Sequence, residues 1–137
     1  MRHLERLAAL ETGAVAAVAG DTLLHFDTRA DNLILAPDRV YVVDWPQACV
    51  GAAWVDLTGL APSVAMQGGP QPEELLAGYP ARSAPADAVT AVVAAIAGYF
   101  TWGALQPPPP GLPTLRAFQA AQGVAARAWL AQRTGWT

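Results

Sequence analysis

Two short aliphatic runs, four residues apart, constrain this chain more than any other feature. Leu33-Ile34-Leu35 and Val40-Tyr41-Val42-Val43 favour extended backbone, and Ala36-Pro37-Asp38-Arg39 between them carries a turn-forming Pro-Asp pair. The pattern predicts a β-hairpin with a four-residue loop. A hairpin fixes register: Leu35 opposite Val40 sets Leu33 opposite Val42 and Asn32 opposite Val43. Asp44 then lies one residue beyond the partner of Asn32. A side-chain amide and a carboxylate are therefore expected at the same end of the hairpin.

Only 14% of the 137 residues are charged and 53% are hydrophobic, so the placement of the polar residues carries information. Five of the seven aspartates fall between positions 21 and 44, together with the only asparagine, Asn32, and one of the two histidines, His25. Asp27 stands in the loop that leads into the first strand. Two oxygen ligands and a third carboxylate meet the needs of a magnesium–phosphate site. Asp31 and Asp38 read as turn residues.

The same composition excludes several classes. Its hydrophobic content excludes disorder, and its length is that of a single domain, residues 1–137. A single cysteine, Cys49, excludes an intramolecular disulfide and a cysteine-based zinc site. A net charge of −3 argues against a nucleic-acid or anionic-membrane partner. Arg2, His3, Glu5 and Arg6 precede any apolar run, a poor signal peptide. The apolar stretch 88–105 is alanine-rich and interrupted by Thr90, Gly98, Thr101 and Gly103, so it reads as a buried core helix rather than a membrane span. A cytoplasmic location is the default expectation. All eight basic residues are arginine; there is no lysine.

Outside the hairpin the chain reads as helical. Residues 2–19 carry a short stripe of Leu4, Leu7 and Ala8, with Gly20-Asp21 as the stop. Residues 53–66 predict a helix that Pro62 should kink or split, and Pro72 to Ala77 a short helix with proline in its first turn. Val89, Val92, Val93, Ile96 and Phe100 keep one helical face. Residues 106–113, with five prolines, predict a rigid extended linker. A last helix shows Leu115, Phe118, Ala121, Ala125 and Trp129 on one side, and Trp102 and Trp129 are expected to pack.

The run His25-Phe26-Asp27-Thr28-Arg29-Ala30-Asp31-Asn32 fits H-x-D-x-x-x-x-N, and Val43-Asp44-Trp45 follows the strand pair. This resembles the catalytic loop and second metal aspartate of protein kinases and their small-molecule relatives. Residues 20–57 resemble the aminoglycoside phosphotransferase family, which includes choline-kinase-like enzymes. The resemblance implies an α+β, mostly α fold: the C-terminal helical lobe of a protein-kinase-like phosphotransferase, with a small β-hairpin carrying the catalytic and metal loops. It spans nearly all of this chain but about half of a family member, so the N-terminal nucleotide-binding lobe is expected to be absent from this polypeptide.

The resemblance also implies roles. Asp27 would accept or orient the proton of the attacking hydroxyl, and Asn32 and Asp44 would hold Mg2+ on the phosphates of ATP. His25 would be a structural member of the loop, and Asp56 would brace it. Arg29 has two readings of equal weight, a positive charge for the transferred phosphate and a surface ion pair with Asp31. The chain departs from the family in Phe26, where relatives often carry a small residue, and in Asp31, where they often carry glycine. It also lacks a glycine-rich loop and any lysine to contact the phosphates.

The implied function is an ATP-dependent kinase of a small-molecule alcohol, with a cationic substrate among the candidates, represented here by its catalytic lobe. The chain alone is expected to be inactive. The alternatives are a non-catalytic binding or regulatory remnant, and a fragment of a longer kinase. The uncovered upper surface of such a lobe predicts self-association, with Leu4, Leu7 and Leu10 contributing.

Overall fold

A computed structural model describes residues 3–79 and 84–136. The chain divides into two compact units, one formed by residues 18–84 and one by residues 1–17 with 85–137. Helix outweighs strand, and the strands form two small antiparallel sheets, so the fold is α+β and mostly α.

In the unit 18–84, strand β1 (Thr22–Leu24) pairs with β4 (Cys49–Gly51), and β2 (Leu33–Leu35) pairs with β3 (Val40–Val42). The β2–β3 register is the predicted one: Leu35 faces Val40, Ile34 faces Tyr41 and Leu33 faces Val42. The Val43 N–H donates to the Asn32 carbonyl at 2.9 Å, adding one more rung at the open end. Ala36 N–H to Arg39 C=O, also 2.9 Å, closes the turn. The β1–β4 pair has no counterpart in the sequence reading. Each strand is three residues long and its partner is distant in the chain, so no local periodicity marks it. Its edge depends on Gly20, where a Cβ would stand 2.6 Å from the backbone of Ala52. No other residue permits that approach, which puts Ala52 N–H within 2.8 Å of the Val18 carbonyl.

Helix α2 (Val55–Met66) runs unbroken through Pro62, so the expected split does not occur. Pro62 offers no N–H to the carbonyl four residues back. It is also buried, with Val55, Thr58, Ala61 and Ser63 around the same helix, and that packing outweighs one missing hydrogen bond. Gln67 caps α2 and Gly68, at φ 82°, turns the chain away. Helix α3 (Pro72–Ala77) packs on α2 and begins with the Gln71 N–H bonded to the Glu74 carboxylate at 3.0 Å. Of the predicted loop 80–85, positions 80–83 lie outside the described residues.

The other unit is a helical layer of α1 (Leu4–Ala17), α4 (Ala86–Ala104) and α5 (Leu115–Thr134), in which α4 packs against both of the others. Val89, Val92 and Val93 are buried on α4, as the spacing predicts, with Ala91, Ala94 and Ala97 beside them. Among the described residues α4 is the one helix long and apolar enough, by length and composition, to cross a membrane.

The buried face of α5 differs from the predicted stripe. Gln119, Gln122, Gly123, Ala126, Trp129 and Leu130 are buried, while Ala121 is exposed. Gly123 lies on this buried side beside the α4 backbone, where a Cβ would stand at van der Waals distance, 3.5 Å, from the Thr101 nitrogen. Trp102 is 64% exposed and does not pack, because α4 turns its small and β-branched side inward. Trp136 instead stacks on His3, with ring centres 4.7 Å apart. The proline-rich stretch is turned rather than extended. Gly111 sits at φ 81°, Leu112 N–H bonds the Pro109 carbonyl, and Arg116 holds the Pro107 carbonyl through two nitrogens.

Candidate active site

Asp56, in the first turn of α2, organises the loop that follows β1. One of its carboxylate oxygens accepts the His25 N–H and the other the Phe26 N–H, both at 2.8 Å. Successive backbone amides around one carboxylate form an anion-binding nest, and a helix N-terminus favours the negative charge. The nest needs a reversed backbone, and Phe26 adopts it at φ 62°.

The buried ring of His25 ties the loop to the hairpin. Its Nε2 lies 2.8 Å from the Val43 carbonyl, and its Nδ1 is 3.3 Å from the Asp27 N–H. A carbonyl can only accept, so Nε2 carries the proton and Nδ1 accepts from Asp27. Trp45 meets this ring edge-on at 4.7 Å and sends its indole N–H to the Val42 carbonyl at 2.8 Å. Both histidine nitrogens are thus used in positioning.

Asn32 ends a three-ten turn, Ala30–Asn32, and is buried. Its NH2 donates to the Asp27 carbonyl at 2.8 Å and approaches the Asp27 carboxylate at 3.5 Å. With the nitrogen committed to Asp27, the side-chain oxygen is the atom Asn32 can offer a cation. Arg29 lies between two carboxylates, its Nε 3.6 Å from Asp27 and 3.2 Å from Asp31. Asp44 follows Val43 directly and is exposed. Its φ of 65° makes it, with Phe26, one of two non-glycine residues in the left-handed region among the described residues. Aspartate tolerates that region better than most residues do.

Hydrogen bonds and ion pairs therefore join His25, Asp27, Arg29, Asn32 and Asp56 in one network. Asp44 enters it through the backbone, since its neighbour Val43 donates to Asn32 and accepts from His25. Among the described residues no three of histidine, cysteine, aspartate and glutamate gather as a metal-holding group. A divalent cation here would rely on the oxygens of Asn32 and Asp44, hard donors of the kind Mg2+ takes. In the sequence Trp45 stands out only as the residue after Asp44. Its contact with His25 and the use of the Val42 and Val43 carbonyls have no signature in the side-chain sequence.

The structure thus brings a reversed loop, a buried histidine and an asparagine near the end of one hairpin, with Asp44 one residue beyond the partner of Asn32. The chain matches the model of the phosphotransferase enzyme family (APH) over residues 2–96, more than half its length, and it belongs to that family. No match is found among curated proteins or among solved structures.

Proposed function

We propose that this chain carries the catalytic loop and metal-binding side of a kinase-like lobe that transfers the γ-phosphate of ATP to a hydroxyl of a small molecule. The observation that carries the reading is the His25–Asp27–Asn32 network joined, at the hairpin end, to Asp44. In this reading the substrate oxygen bonds to the γ-phosphorus, the bond to the β-phosphate oxygen breaks, ADP leaves, and the hydroxyl proton goes to the Asp27 carboxylate. Asn32 and Asp44 hold Mg2+, which supplies positive charge to the phosphates. Arg29, held beside Asp27, adds a second positive charge opposite the negative charge on the oxygens of the transferring phosphoryl group. His25 and Asp56 keep the loop in shape.

The charge pattern bears on the substrate. After Asp44 the acidic residues are Asp56, Glu73, Glu74 and Asp87, and Asp56 is committed to the loop amides. Too few remain for a polycation pocket, which favours a small alcohol over an aminoglycoside. The chain has no lysine, so no ammonium anchors the α- and β-phosphates from within it. That feature favours the two alternatives, a binding or regulatory remnant and a fragment of a longer kinase, over a self-sufficient kinase. We further propose a cytoplasmic protein that self-associates, with Leu4, 57% exposed on α1, among the contacts.

Nucleotide titration with and without Mg2+ tests the reading. Weak ATP binding that requires Mg2+ and is lost in Asp44→Asn supports it, as does little or no turnover by the chain alone. Mg2+-independent binding would remove the metal role, and robust Asp27-dependent phosphorylation of an alcohol would overturn the remnant reading.

A further inference from the structure

We infer that Trp45 is a positioning residue for the cation site: its indole N–H, bonded to the Val42 carbonyl, clamps Asp44 in the reversed backbone from which Asp44 would ligate the cation. The inference rests on the site proposed above. Asp44 lies at φ 65°, a conformation disfavoured for any residue with a Cβ. Among the described residues its exposed carboxylate has no hydrogen-bond or ion-pair partner that would offset this. The reversal is therefore imposed by the neighbours, and both are held. Val43 donates its N–H to the Asn32 carbonyl at 2.9 Å and accepts from His25 Nε2 at 2.8 Å. Trp45 is held from three sides: its indole N–H lies 2.8 Å from the Val42 carbonyl, its ring meets His25 edge-on at 4.7 Å, and its own carbonyl accepts the Ala48 N–H at 3.1 Å.

The hairpin explains why a ring N–H is useful here. The Val43 N–H points toward β2, so across the same trans peptide the Val42 carbonyl points away from it, on the open edge of β3. Among the described residues no strand reaches that edge, and the indole N–H satisfies the carbonyl instead. The bond joins the residues on either side of Val43 and Asp44, and so holds the reversal closed. Pro46 adds to the constraint, because it steers Trp45 out of the helical region and opens the turn that the Ala48 N–H closes. Trp45 is 43% exposed, so it is not a core residue. Phenylalanine would keep the edge-on contact with His25 and lose the bond. A contact that favours the cation-binding backbone must in turn be strengthened by the cation.

Mn2+ alone is titrated into the full chain, with binding read from amide broadening at residue 44, in wild type, Trp45→Phe and Asp44→Asn. Without metal, the one-bond Cα–Hα coupling of residue 44, which distinguishes positive from negative φ, is compared in wild type and Trp45→Phe. Trp45→Phe should weaken Mn2+ binding about five-fold, the worth of one ordinary hydrogen bond, and move residue 44 out of positive φ. In wild type the indole N–H of Trp45 should exchange more slowly once Mg2+ is added. That last measurement needs no variant and decides the matter if Trp45→Phe fails to fold. Wild-type Mn2+ affinity in folded Trp45→Phe, an unchanged φ at residue 44, or indole exchange indifferent to Mg2+ overturns the inference. A lowered thermal midpoint with unchanged affinity does so too, since it would make Trp45 a packing residue only. Failure of the underlying site reads out separately, as Asp44→Asn binding Mn2+ as tightly as wild type.

Discussion

The loop from His25 to Trp45 and the α4–α5 pair are held by opposite means. In the loop nearly every contact is polar and directional: Asp56 on two amides, His25 between Asp27 and Val43, Asn32 on Asp27. In the helix pair the contact is close packing of small residues, with Gly123 admitting α4 and with Trp129 and Ala126 filling the seam. Directional bonds tolerate little variation in residue type, because each donor needs its acceptor. Close packing tolerates many apolar sets but few changes of size. The loop should therefore fail when a single atom is removed, and the helices when one is added.

Asp56→Ala breaks the comparison most severely. Two amides lose a charged acceptor, and the chain should lose about 3 kcal/mol in chemical denaturation. Amide exchange at residues 25 and 26 should accelerate with it. Asp56→Asn, which keeps one acceptor oxygen, should recover part of the loss. An Asp56→Ala protein with wild-type stability and protected loop amides would show that the nest is decorative.

Gly123→Leu is the complementary test in the helices. Its side chain would be driven against the Thr101 backbone, and about 2 kcal/mol of stability should go. Stability unchanged in that variant would mean that α4 and α5 do not approach at Gly123.

These two regions also differ in how far the sequence revealed them. The β2–β3 register was legible because a short loop between two aliphatic runs leaves one pairing, and that pairing put Asn32 beside Val43. The loop spacing was legible because Asp and Asn are rare in this chain. The β1–β4 pair was not, since strands of three residues carry no period. The face of α5 was misjudged for a physical reason. An alanine-rich helix has no dominant apolar stripe, so glycine at the contact and two buried glutamines outweigh Leu115 and Phe118, which are half-buried. Trp102 was misjudged likewise: it lies on the outer side of α4, whose buried side carries Val89, Val92 and Val93.

The smallest expected effects sharpen that last point. Gln122 is buried with an unpartnered side-chain oxygen, whereas its neighbour Ala121 is exposed. Gln122→Leu removes the unsatisfied acceptor and should be neutral or stabilising by about 1 kcal/mol. Ala121→Ser should change stability by no more than about 0.5 kcal/mol. A clear loss at position 121 with none at 122 would restore the face expected from the Leu115–Phe118–Ala121 spacing.

We propose that Asn32 and Asp44 hold one cation at the end of the hairpin, beside Asp27. Paramagnetic broadening by Mn2+, read residue by residue in the amide spectrum, tests it most directly. The signals of residues 27, 32 and 44 should broaden first and together, Mg2+ should compete the effect away, and Asp44→Asn should abolish it without unfolding the chain. Broadening centred on Glu73 and Glu74, or broadening at residue 44 that spares residues 27 and 32, would contradict it.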